Sequence, residues 1–571
     1  MRWVFAEDRT NTQAAKELMQ ELNLPAFVAA AFMNRGADTP ERAREIFATD
    51  TLALNPPSLF EHMDAAVNRI EKAVKANEKI TIYGDYDVDG VTSIIILHTF
   101  FRDVLKYNRA DFYIPNRHNE GYGLNLDALK QIKAGGTKLI ITVDCGITAG
   151  KEVDYCAEHG VDVIVTDHHM PSEESLPKKA MAIINPKYSS TYPDRELSGV
   201  GTAYKLLCAL AERFGIDIGD EFLDFVALGT IADIVPLTRE NRILIRRGLK
   251  RMQNTGNAGL SALMDAAGMK KGAPITTYHV GFVIGPRINA AGRIEHANKA
   301  VELFMSNDLA AIQDIAGELN AVNDERKKLM KKTEEQAVSM IKDSFSPETH
   351  MAIVLYDPKW NAGIVGLAAS KVVSKFSRPA FILTMGEDGL VHGSGRSISS
   401  VNIYEALKNS GSMLSHFGGH RLAAGITLKE EDIGAFRDAI NSYLKSVYSP
   451  QDMVQDLNID AEINCPVTVE HIKALNMLEP WGEGNTRPVF CIKGAEVADV
   501  KFLKNNTMKF YVKHGRVFHN FILFSHNEEH ARDIVKGAVL DISFNVSVNE
   551  WNGEENVSME MKDYKISGGI K

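Results

Sequence analysis

Two almost unbroken apolar runs, Leu139-Ile140-Ile141-Thr142-Val143 and Val161-Asp162-Val163-Ile164-Val165, constrain this chain most. A strand that leaves one face in water alternates apolar and polar residues. A run that is apolar throughout must be covered on both faces, as in a parallel sheet enclosed by crossover helices. The neighbouring segments alternate accordingly. Lys79 to Tyr83 and Asp111 to Pro115 read as strands, and Val91 to Lys106, Asn125 to Ala134 and Lys151 to His159 as helices. The expected fold class is α/β with a parallel sheet over residues 51–300.

At 571 residues the chain exceeds what one core supports, and roughly three to five domains are expected. Residues 1–50 read as a helical appendage packed on the adjoining domain. Residues 301–345 read as a connecting helix, because the charged stretch from Leu309 to Lys342 lacks Pro and holds one Gly, Gly317. A second α/β unit is expected over 346–450, with strands at Met351 to Leu355 and Ala380 to Thr384 around a helix at Gly366 to Lys375. Residues 451–571 turn to β-branched and aromatic alternation, the pattern of a small β-barrel.

Composition limits the function classes. Five cysteines, an odd number with no C-x-x-C pair, argue against a disulfide framework or a zinc-thiolate site and fit a reducing cytoplasm. The N-terminus lacks a signal-peptide pattern, and no apolar stretch reaches membrane-spanning length. A soluble, cytoplasmic protein without membrane contact is expected. The net charge of −10 opposes indiscriminate coating of nucleic acid, so any such substrate requires clustered basic residues. Lys501 to Asn520 supplies one cluster, interleaved with Phe502, Phe510, Tyr511 and Phe518. Arg239 to Arg251 is a second basic run, which reads better as a solvated helix face.

The chemistry sits at the strand ends. Gly84-Asp85-Tyr86-Asp87-Val88-Asp89-Gly90 follows the first strand, and alternate carboxylates in an extended segment project to one side and repel unless cations neutralise them. A calcium-binding EF-hand loop would need Glu at its twelfth position, which is Ile96. Two further strands run into Asp144 and into Asp167-His168-His169, and the carboxyl edge of an open parallel sheet is where ligands sit. Carboxylates with an imidazole suit Mn²⁺ or Mg²⁺, and so many ligands favour a pair of ions. Asp233, just before Val235-Pro236, either caps a helix or ligates a metal. Arg287 and Asn289 in GPRINAAGR, and Ser394 and Arg396 in GSGRS, combine small residues with guanidinium groups that suit phosphate, although GSGRS also occurs as an ordinary turn.

These motifs, with IPNR from Ile114, GYGL from Gly121, GTIADIVPL from Gly229, GGHRLAAG from Gly418 and PWGEGNTRPVF from Pro480, resemble the DHH phosphoesterase family. In order and extent they are most similar to its single-strand-specific 5′→3′ exodeoxyribonuclease branch. The resemblance implies a DHH domain, a DHH-associated domain and an OB-fold-like barrel. It implies two Mn²⁺ or Mg²⁺ ions held by Asp85, Asp87, Asp89, Asp144, His168 and Asp233, with Asp144 bridging and Asp85 replacing a His that smaller relatives carry at the position of Tyr83. His169 and His420 would lie beside the scissile phosphodiester. Arg117, Arg287, Asn289, Ser394 and Arg396 would hold the strand, Ser394 and Arg396 forming the pocket for a 5′-phosphate. The implied activity is release of 5′-mononucleotides from single-stranded DNA in recombination and repair, by a monomer, with a helicase and a single-strand-binding protein as partners. The runner-up is a phosphodiesterase for short oligonucleotides or cyclic dinucleotides, whose usual relatives lack the last β domain. A non-catalytic scaffold is disfavoured by the intact Asp and His set.

Overall fold

The structure is a computed structural model that describes residues 1–10, 12–47, 52–116, 120–294, 297–344, 346, 350–410, 413–551 and 553–567. The chain divides into two compact units. One is principally Asp314–Leu457. The other joins Trp3–Ile288 and Ala297–Gln313 to the residues from Asn458 onward.

In the larger unit the two apolar runs are the central strands of a five-stranded, all-parallel sheet. Its order is Ala110–Tyr113, Lys79–Gly84, Thr137–Val143, Asp162–Thr166 and Ala182–Ile184. The chain leaves Lys79–Gly84 toward one edge and returns on its other side as Thr137–Val143, so strand order reverses between these two. That reversal opens a crevice at their carboxyl ends, the usual ligand position in such sheets. Helix Val88–Thr99 is buried almost all round, between the sheet and helices Gly199–Phe214 and Leu223–Ala232. This explains why its sequence carries no amphipathic stripe.

The C-terminal strands pair in the order Ala461–Glu462, Phe490–Leu503, Thr507–His514, Val517–Leu523, Glu554–Ile566, Val539–Trp551. Pairing of Phe490–Leu503 with Val539–Trp551 closes the barrel. Phe510, Phe521 and Phe544 fill its core. The N-terminal helices Gln13–Leu22 and Ala26–Met33 share that core, Phe27 meeting Phe490 edge-on at 5.2 Å. The appendage therefore shares its apolar core with the barrel, far along the chain, and meets the domain adjoining it in sequence where Arg246 Nη1 donates to the Ile46 carbonyl at 3.3 Å. A half-buried ion pair, Arg35 to Asp460 at 2.7 Å, fastens the appendage to the barrel.

The basic run Arg239–Met252 is likewise no solvated face. Arg242 is 9% exposed and donates to the carbonyls of Leu478 (2.7 Å) and Met477 (3.1 Å). These follow helix Val469–Asn476, where a guanidinium offsets the negative end of the helix dipole.

The smaller unit carries a mixed sheet in the order Leu414–Gly419, Ala423–Leu428, Val391–Arg396, Ala380–Met385, Ile353–Tyr356. Only the last two strands are parallel. Helix Leu309–Ser344 forms as the uninterrupted charged stretch requires. GSGRS is strand, not turn. A Cβ on Gly393 would lie 2.1 Å from Leu383 Cδ2, and one on Gly395 2.6 Å from Phe381 Cε1, so both glycines face a packed core. Among the described residues, no helix is long and apolar enough to cross a membrane.

Candidate metal centre

The aspartate loop lies at the strand-order reversal, and its geometry differs from the extended segment expected. Asp87 ends the loop as the N-cap of helix Val88–Thr99, its Oδ1 accepting from the amides of Asp89 (2.9 Å) and Gly90 (3.1 Å). Asp89 therefore stands on the first helical turn, aimed by the helix. The turn is tight enough that a Cβ at Gly90 would sit 2.5 Å from the Asp85 carbonyl oxygen. Asp89 is fully buried, and its carboxylate accepts from the amides of Gly199 (2.7 Å) and Val200 (2.8 Å). Those amides open helix Gly199–Phe214, so unsatisfied N–H groups and the helix dipole hold an anion there.

Asp144 follows the neighbouring strand in the left-handed region, φ 58°, a strained conformation for a residue with a side chain. Asp167 is not directed at the cluster. It accepts from the amides of Ile147 (2.9 Å), His168 (2.7 Å) and His169 (3.1 Å), and from His169 Nδ1 (2.8 Å). It is the buried anion that shapes the turn and orients His169. His168 Nε2 lies 3.2 Å from Asp144, 3.4 Å from Asp233 and 3.9 Å from Asp89. Both of its ring nitrogens are buried, and neither makes a well-formed hydrogen bond. Asp233 closes helix Leu223–Ala232. A carboxylate at a helix C-terminus opposes the dipole, so capping does not account for its place.

Ligand atoms fall into three overlapping groups, each within 4.8 Å: Asp85, Asp87 and Asp144; Asp89, His168 and Asp233; and Asp144, His168 and His169. Asp144 thus belongs with the carboxylates on one side and the imidazoles on the other. Burial, then the charge of Asp87, pushes Asp89 up to about 7. Burial and then Asp89 push Asp233 up to about 9, and Asp144 rises well above the carboxylate range for the same kinds of reason. Burial drops His168 to about 3, so its imidazole is neutral and available as a ligand. Buried carboxylates that resist ionising together, beside a neutral imidazole without a well-formed hydrogen bond, fit divalent cations with hard oxygen ligands.

The remaining predicted residues are carried by other elements. Arg117 is outside the described residues. GPRINAAGR lies in the helix Gly285–Ile294. Arg287 on it is 7% exposed and donates to the Val283 carbonyl (2.6 Å), while Asn289 is half-buried. In the other unit, Ser394 and Arg396 share the strand face opposite the core glycines, Arg396 Nη1 donating to Ser394 Oγ at 3.0 Å. Arg396 lines a cavity of about 600 Å³ with Ser397, Ser399 and Arg2. His420 is exposed in the turn between Leu414–Gly419 and Ala423–Leu428.

Two contributors escaped the sequence reading. One is the amide pair of Gly199 and Val200, signalled only by a Ser before glycines at a helix start. The other is Tyr122, whose hydroxyl is 3.1 Å from His169 Nδ1 and 3.3 Å from the Asp144 carbonyl oxygen. The barrel aromatics divide. Phe510 is core, whereas Phe518 is 65% exposed, and Lys501 and Lys509 lie over the Tyr511 ring.

Comparison with known proteins matches residues 79–230 to the DHH family N-terminal domain, 349–446 to the DHHA1 domain and 459–563 to the RecJ OB domain. The single-stranded-DNA-specific exonuclease RecJ of Bacillus subtilis is 39% identical over 99% of this chain and 71% of its own length. That of Haemophilus influenzae is 31% identical over 92% and 94%. The structure of RecJ with Mn²⁺ from Thermus thermophilus superposes with a TM-score of 0.84 at 29% identity, covering 100% of this chain and 80% of that one. An extended match across all three domains, at this identity, assigns the chain to the family of RecJ single-stranded-DNA-specific exonucleases, within the DHH phosphoesterases.

Proposed function

We propose that this chain is a metal-dependent exonuclease that degrades single-stranded DNA from its 5′ end and releases 5′-mononucleotides. The observation that carries the reading is the carboxylate-imidazole cluster at the strand-order reversal, with Asp144 common to both sides. Two bound divalent cations, Mn²⁺ or Mg²⁺, would supply an activated water and offset charge growing on the phosphodiester. Asp85, Asp87 and Asp144 would hold one ion, and Asp89, His168 and Asp233 the other, with Asp144 between them. The chain fixes its own ligands in advance. The Gly199 and Val200 amides set Asp89, and Asp167 orients His169, which would face the phosphate.

Arg117, Arg287 and Asn289 would hold the strand, and His420 would face a phosphodiester. Ser394 and Arg396, hydrogen-bonded on one strand face beside a roomy cavity, suit a terminal phosphate. The outer barrel face, with Lys501, Lys509, Tyr511 and Phe518, offers stacking and charge to downstream nucleotides. On this reading the protein works as a monomer in the cytoplasm, in recombination and repair, on strands that a helicase exposes and a single-strand-binding protein coats.

The test compares hydrolysis of a dinucleotide with that of a long 5′-phosphorylated single strand and of a blunt duplex, in Mn²⁺. Preference for the long single strand, with mononucleotide products, is expected. Marked preference for the dinucleotide would instead support a short-oligonucleotide phosphodiesterase.

A further inference from the structure

Within PWGEGNTRPVF, the residues Pro480 to Asn485 form a loop that leads into the barrel and has no part in the chemistry above. We infer that this loop positions the carboxylate of Asp233. The inference rests on the reading of Asp233 as a metal ligand.

The turn that carries Asp233 is not self-sufficient. Ile234 directly after it is β-branched yet held at φ 61°, and it is 69% exposed. Neither condition is favourable for isoleucine, so the turn must be secured from outside. Three residues on, the Leu237 amide donates to the Glu483 carbonyl at 2.7 Å, and the Leu237 side chain is buried. The approach is close. A Cβ at Gly482 would lie 2.4 Å from Leu237 Cδ1, and one at Gly484, itself at φ 68°, would lie 3.0 Å from Pro236 Cβ. Only glycine at these positions lets the loop backbone press on the Pro236–Leu237 segment.

The loop is itself rigidly mounted. Asn485 is 4% exposed, and its Nδ2 donates to the carbonyls of Leu478 and Pro480, both at 2.8 Å. Thr277 Oγ1 donates to the Trp481 carbonyl at 2.7 Å. From the other side, Asn241 Nδ2 donates to the Pro236 carbonyl at 3.0 Å. The segment after Asp233 is thus clamped between a helix side chain and the barrel's leading loop. Partners that orient a metal ligand typically change affinity by about 10–100-fold when removed. The clamp accounts for glycines at 482 and 484 and for a buried amide at 485, which a plain linker does not need.

The test uses full-length Gly484→Val and Asn485→Ala, with Asp233→Ala as reference and Gly256→Ala, a glycine facing open space, as control. Mn²⁺ alone is titrated, with the free ion followed by electron paramagnetic resonance. Both loop variants are expected to bind one ion about tenfold or more weakly, with the number of sites at saturation unchanged. Excess Mn²⁺ should then restore the nuclease rate. Partial misfolding would lower the number of sites and leave their affinity alone. If Asp233→Ala weakens Mn²⁺ binding and Asn485→Ala binds as the parent does, the positioning role is refuted. If Asp233→Ala itself binds normally, the ligand assignment of Asp233 falls, and the positioning role with it.

Discussion

Replacing Gly199 by alanine adds one methyl group and should silence the enzyme. The added Cβ would stand 2.6 Å from Asp144 Oδ1, 2.7 Å from its Cβ and 2.8 Å from its Cγ, where ordinary contact begins at 3.4 Å. Asp144 cannot retreat freely, because its backbone is already held at φ 58°. Gly199 in turn is fixed through the 2.7 Å bond from its amide to Asp89. The misfit at Oδ1 is about 0.8 Å. Displacement of a reacting group by about 1 Å costs on the order of 10²-fold in rate, equivalent to about 2.7 kcal/mol. Helical backbone at position 199 accepts alanine, so the fold should survive. The assay is the initial rate of nucleotide release from a 5′-labelled single strand in saturating Mn²⁺, with the thermal midpoint measured alongside. A rate within a few-fold of the parent, at unchanged Mn²⁺ affinity, would refute the close packing of Asp144 as the determinant.

Other consequences stem from the same geometry. Asp89 at about 7 and Asp233 at about 9 are raised in the fold, so the metal-free protein gains protons on folding and loses stability as pH rises from the ordinary carboxylate range through 9. Adding Mn²⁺ should therefore raise the thermal midpoint more at pH 9 than at pH 6; an equal rise at both would contradict the cluster. Arg242→Met should lower the thermal midpoint, since it strands the Leu478 and Met477 carbonyls at about 1.5–3 kcal/mol per bond to a charged donor. The rate per folded molecule should change little. Tyr511→Ala with Phe518→Ala should weaken binding of a long single strand by about 1–3 kcal/mol for each stacked base lost. Dinucleotide hydrolysis should be unaffected, which kinetics on a length series would check.

The parallel sheet was legible because burial on both faces leaves a mark along each strand, and Leu139 to Val143 carries it without interruption. The strands around Gly393 and Gly419 were not. Their glycines lie against core side chains or a neighbouring strand, and a glycine carries none of the β-branched or apolar pattern by which a strand is read. Arg242 and Arg246 looked like a solvated face because the carbonyls they bind lie 200 or more positions away. Asp85, Asp87, Asp89 and Asp144 could be singled out because they follow strands, whereas Asp233 closes a helix, and the supports of Asp89 are backbone amides, which no side-chain pattern reports. Asp167 and His169 belong to one triplet in the sequence, and only the fold separates the anion that shapes the turn from the imidazole it directs.

The central claim is that one carboxylate-imidazole cluster, organised about Asp144, holds the ions on which hydrolysis depends. Its most direct test is Mn²⁺ binding and single-strand digestion by Asp144→Ala beside the parent protein. Two tightly bound ions per parent chain are expected, with at least one lost from the variant and no mononucleotide released by it. Continued release of mononucleotides by Asp144→Ala, or by the parent protein in excess chelator, would contradict the account.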